Sequence, residues 1–136
     1  MNTIHLPGSD KPVSRIFLGT MIIGLDNYKE SALLLDSALR LGVNALDLAH
    51  VYGGGNTERA VGQWLAQRNN RDAVYIATKG AHPDAKGPRV TPAAITEDLM
   101  ESLHRLRTHY VDAYFLHRDD ESQGVGPIMD CLNEHL

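Results

Sequence analysis

The chain has 136 residues, 43% of them hydrophobic and 22% charged, which is the composition of a globular protein with room for one ordinary domain. Its 13 basic and 17 acidic residues give a formal net charge of -4 with no run of five like charges, so the sequence points to neither nucleic acid nor a membrane surface as a partner. The single cysteine, Cys131, excludes an internal disulfide, and with no signal-peptide pattern at the start this favours the cytosol.

The first 15 residues predict a β-hairpin. Two short extended segments, 4–6 and 13–15, flank the turn residues Pro7-Gly8-Ser9-Asp10. Residues 16–136 contain neither a linker pattern nor a low-complexity tract. The interpretation is therefore a single domain over 1–136, with the hairpin at its start.

After the hairpin, predicted strands and helices alternate four times. The strands are nearly continuous in apolar residues, which is typical of a parallel sheet with helices on its faces. Asp26 is a predicted N-cap of the first helix, which Gly42 ends, and Thr91 is a predicted N-cap followed by Pro92 at the first helical position. The predicted strands span 16–18, 43–49, 74–78 and 111–116, and the predicted helices span 26–41, 58–67, 92–106 and 126–136.

Polar side chains mark the C-terminal ends of the successive strands. Thr20, Asp47, Lys79 and His117 lie at or just inside those ends, and the loop residue Tyr52 follows the second strand. In parallel α/β folds this edge binds ligands, in open sheets and in barrels alike. The sequence therefore predicts one site that gathers these side chains.

The predicted site has the groups that carbonyl reduction needs. An aspartate inside an apolar strand needs a cationic partner, and Lys79 can form a largely desolvated ion pair with Asp47. A lysine ammonium beside the Tyr52 hydroxyl favours the phenolate by charge attraction, which makes this tyrosine a usable general acid. His117 adds a hydrogen-bond donor for a carbonyl oxygen, whereas the hydride has to come from an external cofactor because no side chain can donate one.

Four motifs in register carry a family resemblance. They are the set Asp47, Tyr52, Lys79 and His117 in that order, the string Tyr-Gly-Gly-Gly-Asn-Thr-Glu over 52–58 followed by Gly62, the opening Val-Ser-Arg-Ile-Phe-Leu-Gly-Thr-Met over 13–21, and the run Tyr-Val-Asp-Ala-Tyr-Phe-Leu-His-Arg over 110–118. Together they cover nearly the whole chain and closely resemble the aldo-keto reductase family.

The resemblance implies a (β/α)8 barrel of the TIM-barrel type and an enzyme that reduces an aldehyde or ketone to an alcohol with NADPH. By that likeness Tyr52 is the proton donor, Lys79 and Asp47 tune it, and His117 positions the substrate carbonyl. A complete barrel takes about 250 residues. The 136 residues are therefore expected to hold about the first four βα units, without the later loops that grip most of the cofactor.

The resemblance also implies cofactor and substrate contacts. Gly19, Thr20 and Met21 match the first loop, near the nicotinamide and the substrate, and Asp47 would also lie near the nicotinamide ribose. Met21 stands where many members carry an aromatic residue, which predicts a changed substrate pocket. Leu48 stands where a small hydroxyl residue is common and is interpreted as a packing residue. The hairpin is expected to plug the bottom of the barrel.

Several of these features also have a purely structural interpretation. The Asp47–Lys79 pair could serve only to stabilise the fold, and the glycines at 53–55 indicate a turn rather than a phosphate site. His50 and His82 have no second ligand at a zinc-like spacing, so no metal site is predicted. The cluster 105–109 is interpreted as the solvated end of the third helix.

Two classes of function stay open. The first is the NADPH-dependent reductase, acting on a small-molecule carbonyl substrate. The second is a non-catalytic half-barrel with a binding or regulatory role, which pairs with a copy of itself or with another chain. A half-barrel exposes two edge strands and one apolar sheet face, so self-association or pairing with a missing second half is expected.

Overall fold

A hairpin and four βα units make up the fold of residues 2–136, which the computed structural model describes. The strands are β1 (Thr3–His5), β2 (Pro12–Ser14), β3 (Phe17–Gly19), β4 (Ala45–Asp47), β5 (Tyr75–Gly80) and β6 (Ala113–Leu116). The helices are α1 (Tyr28–Arg40), α2 (Asn56–Arg68), α3 (Pro92–Leu106) and α4 (Val125–Glu134), and short 3₁₀ turns span Tyr52–Gly55 and Arg71–Ala73. Within 2–136, no helix combines the length and the apolar character that a membrane crossing requires.

Strands β3 to β6 form one parallel sheet whose spatial order is their order in the chain. The register pairs Gly19 with Asp47, Asp47 with Ala77, and Lys79 with Phe115. Because the four strands run in the same direction, their C-terminal ends share one edge, which we call the rim. The predicted parallel sheet is confirmed, and its rim brings the strand-end residues together.

The outer face of the sheet packs against the helices. Leu46, Leu48 and Ile76 are at most 2% exposed and belong to one apolar cluster with residues of α1 and α2, among them the buried Trp64. Successive side chains of a strand point to opposite faces of the sheet. Asp47, between two of these leucines, therefore belongs to the inner face, and Leu48 is the packing residue that the sequence predicted.

The hairpin covers the end of the sheet opposite the rim. Val13 of β2 is fully buried in a cluster with Ala45 and Tyr75 of the inner face. The Asn44 side chain joins the hairpin to the sheet, because its oxygen accepts a hydrogen bond from the Ser14 N–H at 2.8 Å. The hairpin thus lies at the bottom, as the resemblance implied, and leaves the rim free.

Helices α2 and α3 begin close to where the sequence predicts. Thr91 Oγ1 accepts a hydrogen bond from the Ala94 N–H at 3.3 Å, so Thr91 is the N-cap of α3. Helix α2 starts at Asn56, two residues earlier than predicted, because the 3₁₀ turn Tyr52–Gly55 leads directly into it.

The predicted cap of α1 is wrong. This helix begins at Tyr28, so the residue before it is Asn27 rather than Asp26. The Asn27 side chain makes no capping bond to the helix and instead donates to the Ile22 carbonyl at 3.0 Å. It orders the loop after β3, a contact between residues that the helix pattern does not cover.

Candidate active site

Lys79 Nζ lies at the centre of the candidate site. It donates to Asp47 Oδ1 at 2.6 Å, to the Leu48 carbonyl oxygen at 2.7 Å, and to Tyr52 Oη at 3.4 Å. A lysine ammonium has three donor hydrogens, so these three acceptors account for all of them. The ammonium is thereby fixed between a carboxylate and a phenol.

The strand register explains why these groups meet. Asp47 ends β4 opposite Ala77, and Lys79 stands two residues further along β5 on the same face of the sheet. Pairing continues past the end of β4, since the His50 N–H donates to the Lys79 carbonyl at 2.8 Å. The lysine side chain therefore reaches back over the last residues of the neighbouring strand.

A glycine turn delivers Tyr52 to the rim. Gly53, Gly54 and Gly55 have φ angles of 58°, 60° and 86°, in the left-handed region that residues with a side chain rarely adopt. Within the turn, the Gly54 N–H donates to the Val51 carbonyl at 3.1 Å and the Asn56 N–H donates to the Gly53 carbonyl. The predicted turn is confirmed, and it sends the chain back over β4 with the tyrosine above Lys79.

His117 completes the set at the end of β6. Its backbone N–H donates to the Gly80 carbonyl at 2.8 Å, and its ring stands edge-on to the Tyr52 ring with centroids 6.0 Å apart. Burial, followed by the neighbouring charges of His82 and Lys79, lowers the pKa of His117 below its usual value. Its Nδ1 is buried and has no hydrogen-bond partner among residues 2–136. A neutral ring with its proton on Nε2 meets both conditions at the least cost.

The ion pair of the site is less buried than the sequence suggested. The Asp47 side chain is 43% exposed and that of Lys79 is 21% exposed, so the expectation of a largely desolvated pair is wrong. The physical reason is that both side chains belong to the inner face, which the helices do not cover. Exposed ion pairs contribute about 0–1 kcal/mol to folding, so this pair is a poor candidate for a purely stabilising contact.

The end of β3 and the loop after it carry the remaining residues of the predicted site. Gly19 leaves open space, because a Cβ there would meet no atom within 4 Å apart from its chain neighbours. Thr20 is fully buried, and its hydroxyl donates to the Asp47 carbonyl at 2.7 Å. Met21 is 74% exposed at the rim. Of the three, only Met21 presents a side chain to a ligand, because Gly19 has none and the Thr20 hydroxyl is buried and already engaged.

The prediction that Arg105 belongs to a solvated helix end is wrong. Its side chain is only 12% exposed and donates to Glu58 Oε2 at 3.3 Å and to the His50 carbonyl at 3.0 Å, so it is not a solvated helix end. A signal for this contact is present, since Glu58 lies on the same helical face as the buried Val61 and Leu65. A carboxylate on a buried face requires a cation or several donors.

Two histidines also have neighbours that sequence reasoning did not foresee. His50 Nε2 lies 2.9 Å from Glu101 Oε2 of α3. The His82 ring stands edge-on to the His117 ring, with centroids 4.8 Å apart. Both rings contact other parts of the protein, because the loop after β4 folds onto α3 and the loop after β5 folds onto the rim.

Known proteins resemble this chain in sequence. The model of the Aldo/keto reductase family matches residues 15–135. Norsolorinic acid reductase A from Aspergillus parasiticus is 33% identical over an alignment 147 residues long, which covers 96% of this chain and 38% of that protein. Protein tas from Escherichia coli is 36% identical over 128 residues, which cover 83% of this chain and 37% of that protein.

Solved structures agree with the sequence match. The holo form of aldo-keto reductase AKR11C1 from Bacillus halodurans matches with a TM-score of 0.85 and 31% identity, covering 98% of this chain and 46% of that chain. The glycerol dehydrogenase AKR11B4 from Gluconobacter oxydans matches with a TM-score of 0.80 and 31% identity, covering 98% of this chain and 44% of that chain. The chain thus spans less than half the length of these relatives, and its four βα units are part of a (β/α)8 barrel. By sequence and by fold, the chain belongs to the aldo/keto reductase family.

Proposed function

We propose that the chain carries the acid–base part of the active site of an oxidoreductase that reduces an aldehyde or ketone to an alcohol with NADPH. The observation that carries this proposal is the position of Lys79 Nζ, 2.6 Å from Asp47 Oδ1 and 3.4 Å from Tyr52 Oη. A positive charge beside a phenol stabilises the phenolate that remains when the proton leaves. This contact supports Tyr52 as the proton donor.

The proposed reaction adds a hydride to the carbonyl carbon and a proton to the carbonyl oxygen. When bound, NADPH supplies the hydride. Tyr52 gives its proton to the oxygen, and a proton from solvent restores the phenol after the alcohol leaves. Asp47 and the Leu48 carbonyl hold the Lys79 ammonium in place beside Tyr52.

His117 and Met21 are the proposed substrate contacts beside Tyr52. The lowered pKa of His117 keeps the ring neutral near pH 7, so a ring N–H can donate to the carbonyl oxygen without taking part in the proton transfer. The edge-on packing against Tyr52 places both donors on one side of the rim. Met21, exposed at the end of β3, offers an adaptable apolar surface for the rest of the substrate.

The rim has features that fit the nicotinamide end of NADPH. Asp47 Oδ1 is engaged by Lys79, while the half-exposed carboxylate keeps a second oxygen that can accept from a ribose hydroxyl. The open space over Gly19 lies beside this carboxylate in the register of β3 and β4. We propose that Asp47 binds the ribose, with Gly19, the backbone of Thr20 and Met21 nearby.

Cofactor binding and turnover test the proposal directly. The 136-residue chain is titrated with NADPH in reducing buffer, as suits the cytosol where we expect it to act, and binding is followed by cofactor fluorescence. An aromatic aldehyde is then added while NADPH absorbance is recorded. We expect Tyr52→Phe to slow turnover by about 10²–10⁴-fold, the usual contribution of a positioned acid, and to retain NADPH binding.

The matched control is Tyr28→Phe. Tyr28 lies on α1 and donates its hydroxyl hydrogen to Gln67 Oε1 at 2.6 Å, so its loss should leave turnover unchanged. Turnover that survives in Tyr52→Phe at the rate of the unmodified chain would show that Tyr52 is not the acid.

A non-catalytic half-barrel is the second candidate function. The observation that favours it is the uncovered inner face, where Phe17 is 39% exposed and Phe115 is 53% exposed. Such a face suits pairing with a second copy or another chain that completes the barrel. A well-folded chain that binds no NADPH and turns over no aldehyde would select this second candidate.

A further inference from the structure

The loop that carries Tyr52 has backbone hydrogen bonds of its own, but its glycines keep more conformational freedom than other residues would. Residues 53 to 55 are three successive glycines in the left-handed region, and glycine has the greatest backbone freedom of any residue. A general acid has to be held within hydrogen-bond reach of its substrate and its tuning charge. Contacts from outside the loop must therefore limit where the hydroxyl can lie.

Arg105 of α3 contacts both ends of this loop. Its Nη1 donates to the His50 carbonyl at 3.0 Å, two residues before Tyr52. At the other end its guanidinium lies directly against Gly55, where an added Cβ would come within 2.6 Å of Arg105 Cζ. The planar guanidinium thus contacts the chain at His50, just before the turn, and at Gly55, the last residue of the turn.

Glu58 ties Arg105 to the strand that carries Lys79. The Glu58 side chain is fully buried, and its Oε2 accepts from Arg105 Nη1 at 3.3 Å. Its Oε1 accepts from the Thr78 hydroxyl at 2.8 Å, and Thr78 directly precedes Lys79 in β5. A continuous set of polar contacts therefore runs from β5 through α2 and α3 to the tyrosine loop.

We propose that Arg105 is a positioning residue that, held by Glu58, keeps the Tyr52 hydroxyl at Lys79 Nζ. The inference rests on the proposed function, because it assigns Tyr52 as the group whose position matters. Arginine suits the task because the two hydrogens on Nη1 point in fixed directions in the plane of the guanidinium, so that this one nitrogen donates to the Glu58 carboxylate and to the His50 carbonyl.

The test reads the contact between Tyr52 and Lys79 directly and needs no cofactor. The chain is labelled with 13C at lysine Cε, and the Lys79 signal is assigned by its loss in Lys79→Arg. In the unmodified background we expect Tyr52→Phe to displace this signal, since the substitution removes a hydroxyl 3.4 Å from Nζ. The same substitution, Tyr52→Phe, is then made in a chain that carries Arg105→Met. There we expect it to leave the Lys79 signal unchanged, because the loop no longer holds the ring near the ammonium.

A second variant guards against a failure to fold. Arg105→Met leaves Glu58 buried without its cation, whereas the double variant Glu58→Gln/Arg105→Met removes both charges. The matched control is Arg68→Met, which breaks the exposed pair of Arg68 with Asp36 on the outer helices. We expect the double variant to lose the Lys79 displacement and Arg68→Met to retain it.

Three results would overturn the inference. The first is that Tyr52→Phe still shifts the Lys79 signal in a folded Arg105 variant. The second is that the shift is lost equally in Arg68→Met, and the third is that Tyr52→Phe causes no shift in the unmodified chain. A chain that shows the expected NMR pattern but no turnover would instead count against the proposed function alone. The two proposals therefore fail by different measurements.

Discussion

Two imidazole rings, those of His82 and His117, meet at the rim, and their contact adds to the effect of burial on the pKa of His117. His82 Nδ1 donates to the Pro83 carbonyl at 2.8 Å, which fixes its ring edge-on to His117. Burial is the main cause of the lowered pKa of His117, and the His82 ring and the Lys79 ammonium add to it. Burial, Lys79 on β5 and His82 in the loop after β5 together keep the proposed carbonyl donor neutral near pH 7.

We predict that His82→Ala raises the pKa of His117, because it removes a neighbouring charge and admits water to the ring. NMR titration of the imidazole signals measures the change, with His5→Ala on the exposed strand β1 as the control. A pKa that stays constant or falls in His82→Ala would contradict the prediction.

The same shift has a consequence for stability. Since folding lowers the pKa of His117, the stability it contributes is complete above about pH 6.5 and is lost as the pH falls from there through the folded pKa. His82→Ala should therefore lose less stability on acidification than the unmodified chain does.

At this scale the sequence predicts which side chains meet but not how deeply they lie. Asp47, Lys79 and His117 were found because strand ends in a parallel sheet must share an edge. The partial exposure of Asp47 and the burial of Arg105 depend on which helix covers which loop. That packing cannot be read from the spacing of residues within one element.

At the scale of elements, α2 and α3 cross at a glycine. A Cβ at Gly62 would come within 2.2 Å of the Arg105 carbonyl oxygen and 2.8 Å of Leu106 Cα. The helix axes can approach this closely only where one of them lacks a side chain. Gly62, which the sequence offered only as part of a family motif, is therefore required by packing.

We predict that Gly62→Ala lowers the free energy of unfolding by about 1–3 kcal/mol, the usual cost of overpacking a core. Urea denaturation followed by circular dichroism measures it. The control is Gly24→Ala in the loop after β3, where an added Cβ makes only an ordinary contact at 3.5 Å with Asn27 Oδ1 and should gain about 0.4–1 kcal/mol by reducing the freedom of the unfolded chain. Equal stabilities of the Gly62→Ala variant and the unmodified chain would refute the close crossing.

The elements themselves were largely predictable, and the exceptions have local causes. Thr91 before Pro92 is a helix start that depends on neighbouring residues alone, so it was found correctly. Asp26 has the right chemistry for an N-cap, but the residue before α1 is Asn27, because the loop after β3 sets where the helix begins. Predictions based on local chemistry hold until a contact from another segment competes.

At the scale of the whole molecule, the two ends of the sheet have different tasks. The hairpin seals one end through the buried Val13, while the rim carries the proposed chemistry. Between them, the inner face exposes Phe17 and Phe115, which the helices do not reach. The face left open is the one that a complete barrel encloses.

We predict that the chain associates through this inner face and that Phe115→Ser shifts it toward monomer. Sedimentation velocity over a range of concentrations measures the change. The control is Leu33→Ser on α1, where a leucine of 59% exposure lies on the helical side and should not affect association. A sharp monomer for the unmodified chain, unfolding in one cooperative step, would contradict the prediction.

The sequential order of the sheet has a consequence for how the chain is made. Strand β4 pairs with β3, β5 with β4, and β6 with β5, so each strand pairs with the one synthesised just before it. Pairing of each strand with its predecessor keeps the segments between paired strands short, which lowers the entropy cost of bringing them together. Each new βα unit can therefore add to a surface that already exists, and the Asp47–Lys79 contact can form as soon as β5 leaves the exit tunnel.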